Sequence, residues 1–185
     1  MKGTESALEY PVLVHRLDSL TSGLLVLAKT KKASIHLADQ FEQRKVHKTY
    51  TALLEGEPSH GERIEHPIEG KPSITIWKLL RTVQTTKGIL SLVELNPQSG
   101  RKHQLRKHVS EVLGCPIVGD ELYGSTIGRS LFLCAHSISI QHPLDGGWVQ
   151  HSIDLPKRFD EYIAREEKRY IKYQEYMKRE GSQPV

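Results

Sequence analysis

The 185-residue chain lacks the features that hold small extracellular domains or metal-dependent proteins together. Its two cysteines, Cys115 and Cys134, are too few and too isolated for a disulfide framework or a thiolate zinc site. No apolar run approaches membrane-spanning length, and Met1–Pro11 lacks the apolar core of a signal peptide. We therefore expect reduced core cysteines, no membrane partner, and a cytoplasmic location, or an organellar one if a targeting segment has been removed.

Glycine-rich phosphate loops and ligand clusters at metal-binding spacing are also absent from the sequence, so we expect neither a cofactor nor a metal. The chain is long enough for one domain with a proper core. Hydrophobic residues make up 37% of it and charged residues 26%. The net charge of +4 and the pI of about 9.0 permit a polyanionic partner without requiring one.

Hydrophobic periodicity and turn residues predict an α+β fold, with a mixed, mainly antiparallel sheet and flanking helices. Strands are predicted at Pro11–Val14, Leu24–Ala28, Val46–Glu55, Ile74–Val83, Gly88–Leu95, Leu131–Ile140 and Trp148–Leu155. Helices are predicted at Lys31–Arg44, from the basic segment Ser99–His108 to about Leu113, and in the charged segment after Pro156. We expect one domain at 1–160 and a charged helix or tail at 161–185, which is either a solvated surface helix or a contact for a partner or RNA.

The segment His15–Lys29 joins a polar loop to an apolar run. The run Leu24–Ala28 is typical of a strand buried on both faces. Asp18 lies in the loop before it, so the fold would hold this carboxylate rigidly, as catalysis requires of an acid, base or nucleophile. A simple loop ion pair between Arg16 and Asp18 is the structural alternative.

The segment Ser99–His108 is the most basic in the chain and contains four formal positive charges and no acid. Cations are disfavoured at the start of a helix, so a merely solvated helix start explains this placement poorly. A surface for a polyanion explains it better, because Arg and Lys side chains and the exposed amides of the helix start all attract phosphates.

Three motifs give the chain a family resemblance. His15–Lys29 begins His-Arg-Leu-Asp-Ser-Leu-Thr-Ser-Gly-Leu and resembles the signature of the RluA-like family of RNA pseudouridine synthases. Lys48–Ala52 resembles the family's Lys-x-Tyr-x-Ala block, and Gly100–His108 its Gly-Arg-x-His-Gln-Leu-Arg-x-His motif. Gly114–Gly124 matches the Gly-x-Pro-Ile-x-Gly-Asp…Tyr-Gly that follows. Cys134 departs from the usual His of a further Leu-His-Ala element.

The resemblance implies the pseudouridine-synthase fold, with an RNA-binding cleft across the sheet. It implies isomerisation of a specific uridine to pseudouridine in structured RNA, either rRNA or tRNA, without a cofactor. In this reaction the glycosidic nitrogen–carbon bond breaks, the uracil turns while bound, and carbon 5 of the base bonds to the sugar. Asp18 is implied as the catalytic residue, and both its addition to the sugar and its removal of a sugar proton stay open.

The resemblance also assigns roles around Asp18. Arg106 is implied as its ion-pair partner, and Leu133 as apolar packing beside the site. Tyr50 is implied to lie against the target base, since its ring can stack on an extruded base; the alternative is a Tyr that only fills a half-buried strand position. RNA contacts are expected from Arg16, Arg101, Lys102, His103 and Gln104.

Two other functions stay open. One is a catalytically silent RNA-binding or assembly factor that keeps the synthase fold, although such a protein has no need for Asp18, Tyr50 and Arg106 together. The other is a general basic RNA-binding module. Only fourteen residues precede His15, which leads us to expect a shortened member, a fragment, or a chain whose missing strand comes from elsewhere.

Overall fold

The computed structural model describes residues 11–59 and 61–181. The polar segment Met1–Glu9, which its composition predicts to be loose, lies outside the described residues. The strands are β1 (Val12–Leu13), β2 (Ser22–Gly23), β3 (Leu27–Ala28), β4 (His47–Glu55), β5 (Arg63–Glu65), β6 (Ile74–Thr85), β7 (Gly88–Pro97), β8 (Leu133–Gln141) and β9 (Trp148–Ser152). The helices are α1 (Lys31–Glu42), α2 (Gln104–Lys107), which continues as a π-helical turn at His108–Val112, and α3 (Arg158–Arg179); a 3-10 turn covers Glu121–Tyr123.

A seven-stranded sheet in the order β2-β8-β4-β7-β6-β5, with β9 also paired to β8, forms the centre of the molecule. All its pairings are antiparallel except that of β2 with β8, which is parallel. The α+β prediction with a mainly antiparallel sheet is therefore confirmed. The predicted strands Ile74–Val83 and Gly88–Leu95 form a hairpin of β6 and β7, whose register closes at Thr85 opposite Gly88.

The prediction of one strand at Leu24–Ala28, buried on both faces, is wrong. Gly23 lies so close to Ala135 that a Cβ atom would meet its carbonyl oxygen at 2.2 Å, and its φ of +123° suits only glycine. After this contact the chain leaves the sheet, and β3 pairs with β1 in a separate two-stranded ribbon. Leu25 and Leu27 are consequently 44% and 47% exposed.

The helices cover the two faces of the sheet. On α1, Thr30 caps the first turn by accepting a hydrogen bond from the Ala33 N–H, and Gln40 bonds to both backbone groups of Gln141 at the end of β8. Phe159 and Ile163 in the first turns of α3 are buried in the main core. Cys115 and Cys134 are free and buried, as predicted.

Helix α3 begins before the predicted division between 160 and 161 and continues through it, so its docked start and its solvated remainder are one element. None of the helices in the described ranges combines the length and the apolar character that crossing a membrane requires.

Candidate active site

A cleft of about 510 Å³ lies where the loop before β2, the strand β4 and the loop before α2 meet. Eight of the nine predicted site residues line it, and Arg106 is the exception. The lining residues that were predicted are Arg16, Asp18, Tyr50, Arg101, Lys102, His103, Gln104 and Leu133. The topology thus brings segments far apart in the sequence to one site.

Asp18 presents its carboxylate to this cleft. Its loop is closed by a hydrogen bond from the Thr21 N–H to the Asp18 carbonyl at 2.9 Å, and β2 then fixes the loop to β8. The Asp18 side chain is 27% exposed, and its nearest basic neighbour is His103, with Nε2 4.0 Å from Oδ1. Among the described residues, no Lys or Arg nitrogen forms a salt bridge with it. The carboxylate is therefore held in place and still accessible.

The predicted ion pair between Arg106 and Asp18 is wrong, because Arg106 pairs with Asp120. Nε and Nη2 of Arg106 donate to the two Asp120 oxygens at 2.7 and 2.6 Å, and both side chains are buried. This bidentate bond raises the pKa of Arg106 against the opposing effect of burial, and the charge of Asp18 adds a smaller contribution from further away. Arg106 is therefore held by Asp120 and lies near Asp18 without forming an ion pair with it.

Tyr50 stands on the cleft face of β4, directly after a bulge between Thr49 and Tyr50. Burial, and then the negative charge of Asp18, raise the pKa of Tyr50 to about 12. Its hydroxyl is therefore protonated at neutral pH, beside a ring face that borders the cleft. Lys48, two residues earlier on the same face, also lines the cleft, and burial lowers its pKa.

His103 connects the cleft to the structure behind it. Its backbone is left-handed, with φ of +55°, at the residue before α2. Nδ1 lies 2.8 Å from the Tyr123 hydroxyl, and the Tyr123 ring lies under the Arg106 guanidinium. Desolvation lowers the pKa of His103, although Asp18 opposes this shift. The ring is thus held with Nε2 towards Asp18 and favours its neutral form.

Gln104 is buried and uses all of its amide hydrogen-bonding capacity inside the protein. Its oxygen accepts from the Ser99 hydroxyl and the Arg101 N–H, and its nitrogen donates to the Ile74 carbonyl and the Thr75 hydroxyl. This arrangement corrects the expectation of an RNA contact for Gln104, because no amide atom is left for a ligand. Gln104 instead positions the loop that carries Arg101 and Lys102.

Sequence reasoning missed three residues that organise the site, all of which lie inside the motifs. His15 accepts a hydrogen bond from the Val26 N–H at 2.9 Å and stacks on Phe41 of α1, which ties the loop of Asp18 to that helix. Asp120 and Tyr123 hold Arg106 and His103. Their presence in the motifs was a signal, but the motifs do not state which side chains bond to each other.

Comparisons with known proteins show the family of this chain. The sequence profile of the family described as RNA pseudouridylate synthase matches residues 2–111. The dual-specificity RNA pseudouridine synthase RluA of Vibrio parahaemolyticus is 40% identical over 175 residues, which cover 82% of this chain and 68% of that protein. The ribosomal large subunit pseudouridine synthase C of Rickettsia felis is 37% identical over 174 residues, which cover 82% of this chain and 55% of that protein.

A solved structure agrees as well. The human RNA pseudouridylate synthase domain containing 1 superposes with a TM-score of 0.68 at 32% identity, over 78% of this chain and 69% of that chain. The chain spans 50% of the length of a curated relative from Chloroflexus aurantiacus and 75% of the length of one from Zymomonas mobilis. The profile match and these identities lead to one conclusion: the chain belongs to the RNA pseudouridylate synthase family.

Proposed function

We propose that this protein converts a uridine in structured RNA into pseudouridine, with Asp18 as its catalytic residue. The observation that carries the proposal is the accessible Asp18 carboxylate, which faces a cationic cleft beside Tyr50 without a salt-bridge partner of its own among the described Lys and Arg residues. Membership of the family supports this reaction class.

The reaction rearranges bonds within one nucleotide and needs no other reactant. The bond from the base nitrogen to the sugar breaks, the uracil turns in the cleft, and carbon 5 forms the new bond to the sugar while its proton is lost and the freed nitrogen gains one. Asp18 acts on the sugar, by addition or by removing a proton. Either action requires the carboxylate to reach the sugar, which its exposure to the cleft allows.

The other cleft residues would bind the extruded nucleotide. A target base must leave its stack, which costs a few kcal/mol and favours uridines in loops. Tyr50 offers its ring for stacking and a protonated hydroxyl for hydrogen bonding, and Leu133 closes the apolar side of the cleft. Arg16, Arg101 and Lys102 would contact the flanking phosphates.

The relatives' names suggest which RNA to test. The Rickettsia relatives are named for the ribosomal large subunit, and the Vibrio relative is named dual-specificity. We propose rRNA or tRNA as the substrate, and the two are separate arms of the same assay.

The test is tritium release from unmodified rRNA and tRNA transcripts labelled at carbon 5 of uridine. We expect release by the parent protein and none by Asp18→Asn, which keeps the shape of the side chain and removes its charge. Asp154→Asn, the same change at an exposed carboxylate outside the cleft, should behave like the parent. Release by Asp18→Asn at the parental rate would overturn the role of Asp18. Silence of the parent, with equal RNA binding by parent and variant, would favour the assembly-factor hypothesis.

A further inference from the structure

A second cavity, of about 690 Å³, lies on the other face of the sheet from the cleft. Side chains alternate along β4, so Tyr50 and Glu55, five residues apart with no bulge between them, point to opposite faces. Glu55 is paired in register with Leu90, which lines the second cavity. The proposed reaction uses none of the charged residues in this cavity.

The cavity is strongly cationic, and we call it the basic groove, defined by its charged residues Lys87, Arg129, Arg158, Arg165, Glu166 and Arg169. Five cations and one carboxylate give a local excess of four positive charges, equal to the net charge of the whole chain. A local excess of this size is expected for a surface that binds a polyanion.

Glu166 shows that two of these cations are held in place. Its buried carboxylate accepts hydrogen bonds from Arg165 Nε at 3.2 Å and Arg169 Nη1 at 2.8 Å. Both arginine side chains remain more than half exposed, at 54% and 60%, and each keeps further N–H groups for a ligand. Arginines fixed in this way lose less conformational entropy when they bind phosphate oxygens.

Two other cations of the groove are available as they stand. Lys87 and Arg129 are exposed, and neither has an ion-pair partner within the described part of the chain. A solvated face of this kind usually carries interspersed charges of both signs. Here Glu166 is the one acidic residue among those that line the groove, and its carboxylate is already engaged. The Glu55 carboxylate beside the groove is engaged as well, because it accepts hydrogen bonds from Thr126 and Ile127.

The groove meets the cleft at the edge of the sheet formed by β2. Arg158 Nη2 donates to the Leu131 carbonyl at 3.0 Å and to the Ser22 hydroxyl at 3.3 Å. Ser22 directly follows Thr21, which lines the cleft. A nucleic-acid strand that leaves the cleft past Thr21 can therefore reach the groove by passing around a single short strand.

We propose that the basic groove binds backbone phosphates of the RNA that flanks the target uridine, so that the substrate contacts both faces of the sheet. The identity of the ligand as RNA rests on the proposed function. The continuity of the groove with the cleft favours RNA over an acidic protein segment, because one polyanion then accounts for both cationic surfaces.

The test compares Lys87→Gln/Arg129→Gln with Lys172→Gln/Lys178→Gln, a control that removes two exposed positive charges from α3 outside the groove. The probes are a fluorescein-labelled hairpin with uridines in its loop and the same hairpin with single-stranded flanks on both sides. Fluorescence anisotropy over a series of salt concentrations gives the dissociation constant and its salt dependence. Both pairs of substitutions lie on the surface, so folding is not expected to change.

We expect the groove variant to bind the flanked RNA several-fold more weakly than the parent. The slope of log K against log salt should become shallower by about 1 to 2, because each phosphate contact contributes about 0.7 to 0.9. The short hairpin should bind as before, and the control variant should match the parent with both RNAs. Equal slopes for the groove and control variants would overturn the proposal, and so would an equal loss with the short hairpin.

A labelled polyglutamate peptide provides the arm for an acidic protein. Tight binding of this peptide by the parent, lost in the groove variant while the flanked RNA is unaffected, would overturn the assignment to RNA. Anisotropy reports binding whether or not a uridine in the probe reacts, so this measurement is separate from the proposed reaction. A parent that releases no tritium, but whose groove variant loses flanked RNA, would remove the enzyme assignment and support the groove.

Discussion

Asp18 and Asp120 are two carboxylates near the same arginine, but they differ in solvent exposure and in ion pairing. Asp120 is 1% exposed, and both of its oxygens accept hydrogen bonds from Arg106. Asp18 is 27% exposed, and its closest basic atom is a histidine nitrogen 4.0 Å away. A fully paired, buried carboxylate fixes structure and is not available for a reaction. The accessible one can meet a substrate.

A series of contacts connects the Arg106–Asp120 pair to Asp18. The Arg106 guanidinium lies 4.9 Å from the centre of the Tyr123 ring, and the Tyr123 hydroxyl lies 2.8 Å from His103 Nδ1. His103 in turn faces Asp18. We infer that the Arg106–Asp120 pair acts as a frame that positions the wall of the cleft, while Asp18 is the proposed catalytic residue.

The largest expected effect comes from substituting each carboxylate in turn, which separates the structural role of Asp120 from the proposed catalytic role of Asp18. Asp120→Asn leaves the buried Arg106 charge without its partner, so the free energy of unfolding should fall by about 3–5 kcal/mol. Asp18→Asn removes a carboxylate that forms no salt bridge with a described Lys or Arg, and should change this free energy by no more than about 0.5 kcal/mol. Urea titration followed by circular dichroism measures both. Equal stability of the two variants would remove the distinction between frame and reactive group.

The next effect concerns how the loop of Asp18 is held. In Gly23→Ala, the new Cβ meets the Ala135 carbonyl oxygen, and the strained backbone alone should cost about 1–3 kcal/mol of unfolding free energy. Relief of the clash moves β2 and with it Asp18, and a displacement of this kind can lower turnover by about 100-fold.

Gly146→Ala is the matched control for that loop. Gly146 also has a positive φ, +74°, but a Cβ there meets no heavy atom within 4 Å. This variant should lose about 1–2 kcal/mol of unfolding free energy and keep the parental rate of tritium release. Full activity in Gly23→Ala would show that the position of Asp18 does not depend on the pairing of β2 with β8.

Local sequence features predicted the parts of the fold that depend on neighbours in the chain. The β6–β7 hairpin follows from two strand-forming stretches around a turn, and α1 follows from its apolar spacing. The cysteines were predicted to be reduced core residues from their small number and their isolation, and both are free and buried. The motifs located eight of the nine predicted residues at one cleft, although their chemical roles stay predictions.

The errors concern contacts that only the tertiary structure decides. A motif that contains Arg106, and two others that contain Asp18 and Asp120, do not reveal which carboxylate the arginine reaches. The burial of Gln104 depends on its distance from Ile74 and Thr75, some thirty positions earlier. The apolar run Leu24–Ala28 has the composition of a central strand, but only the Leu24 N–H bonds to β8, and Leu27 and Ala28 pair with β1 instead.

The smallest expected effect is a difference in how a buried and an exposed histidine contribute to the pH dependence of the unfolding free energy. His108, two residues after Arg106, is fully buried and bonds to the Thr75 hydroxyl and the His66 carbonyl. Burial lowers its pKa below the ordinary value of 6.5. Above pH 6.5 the ring is neutral in both the folded and the unfolded state, so it adds no pH dependence there.

Below pH 6.5 the unfolded chain binds a proton at His108 that the folded protein resists. The free energy of unfolding should therefore fall with decreasing pH, by at most about 1.4 kcal/mol per pH unit for this group, until the pH passes the folded pKa. Urea titrations between pH 7 and about pH 5 measure the slope. His108→Gln should reduce it, whereas His151→Gln, at an exposed histidine, should not. An unchanged slope in His108→Gln would mean that the folded protein binds a proton at His108 as readily as the unfolded chain does. Burial would then not control the charge of His108.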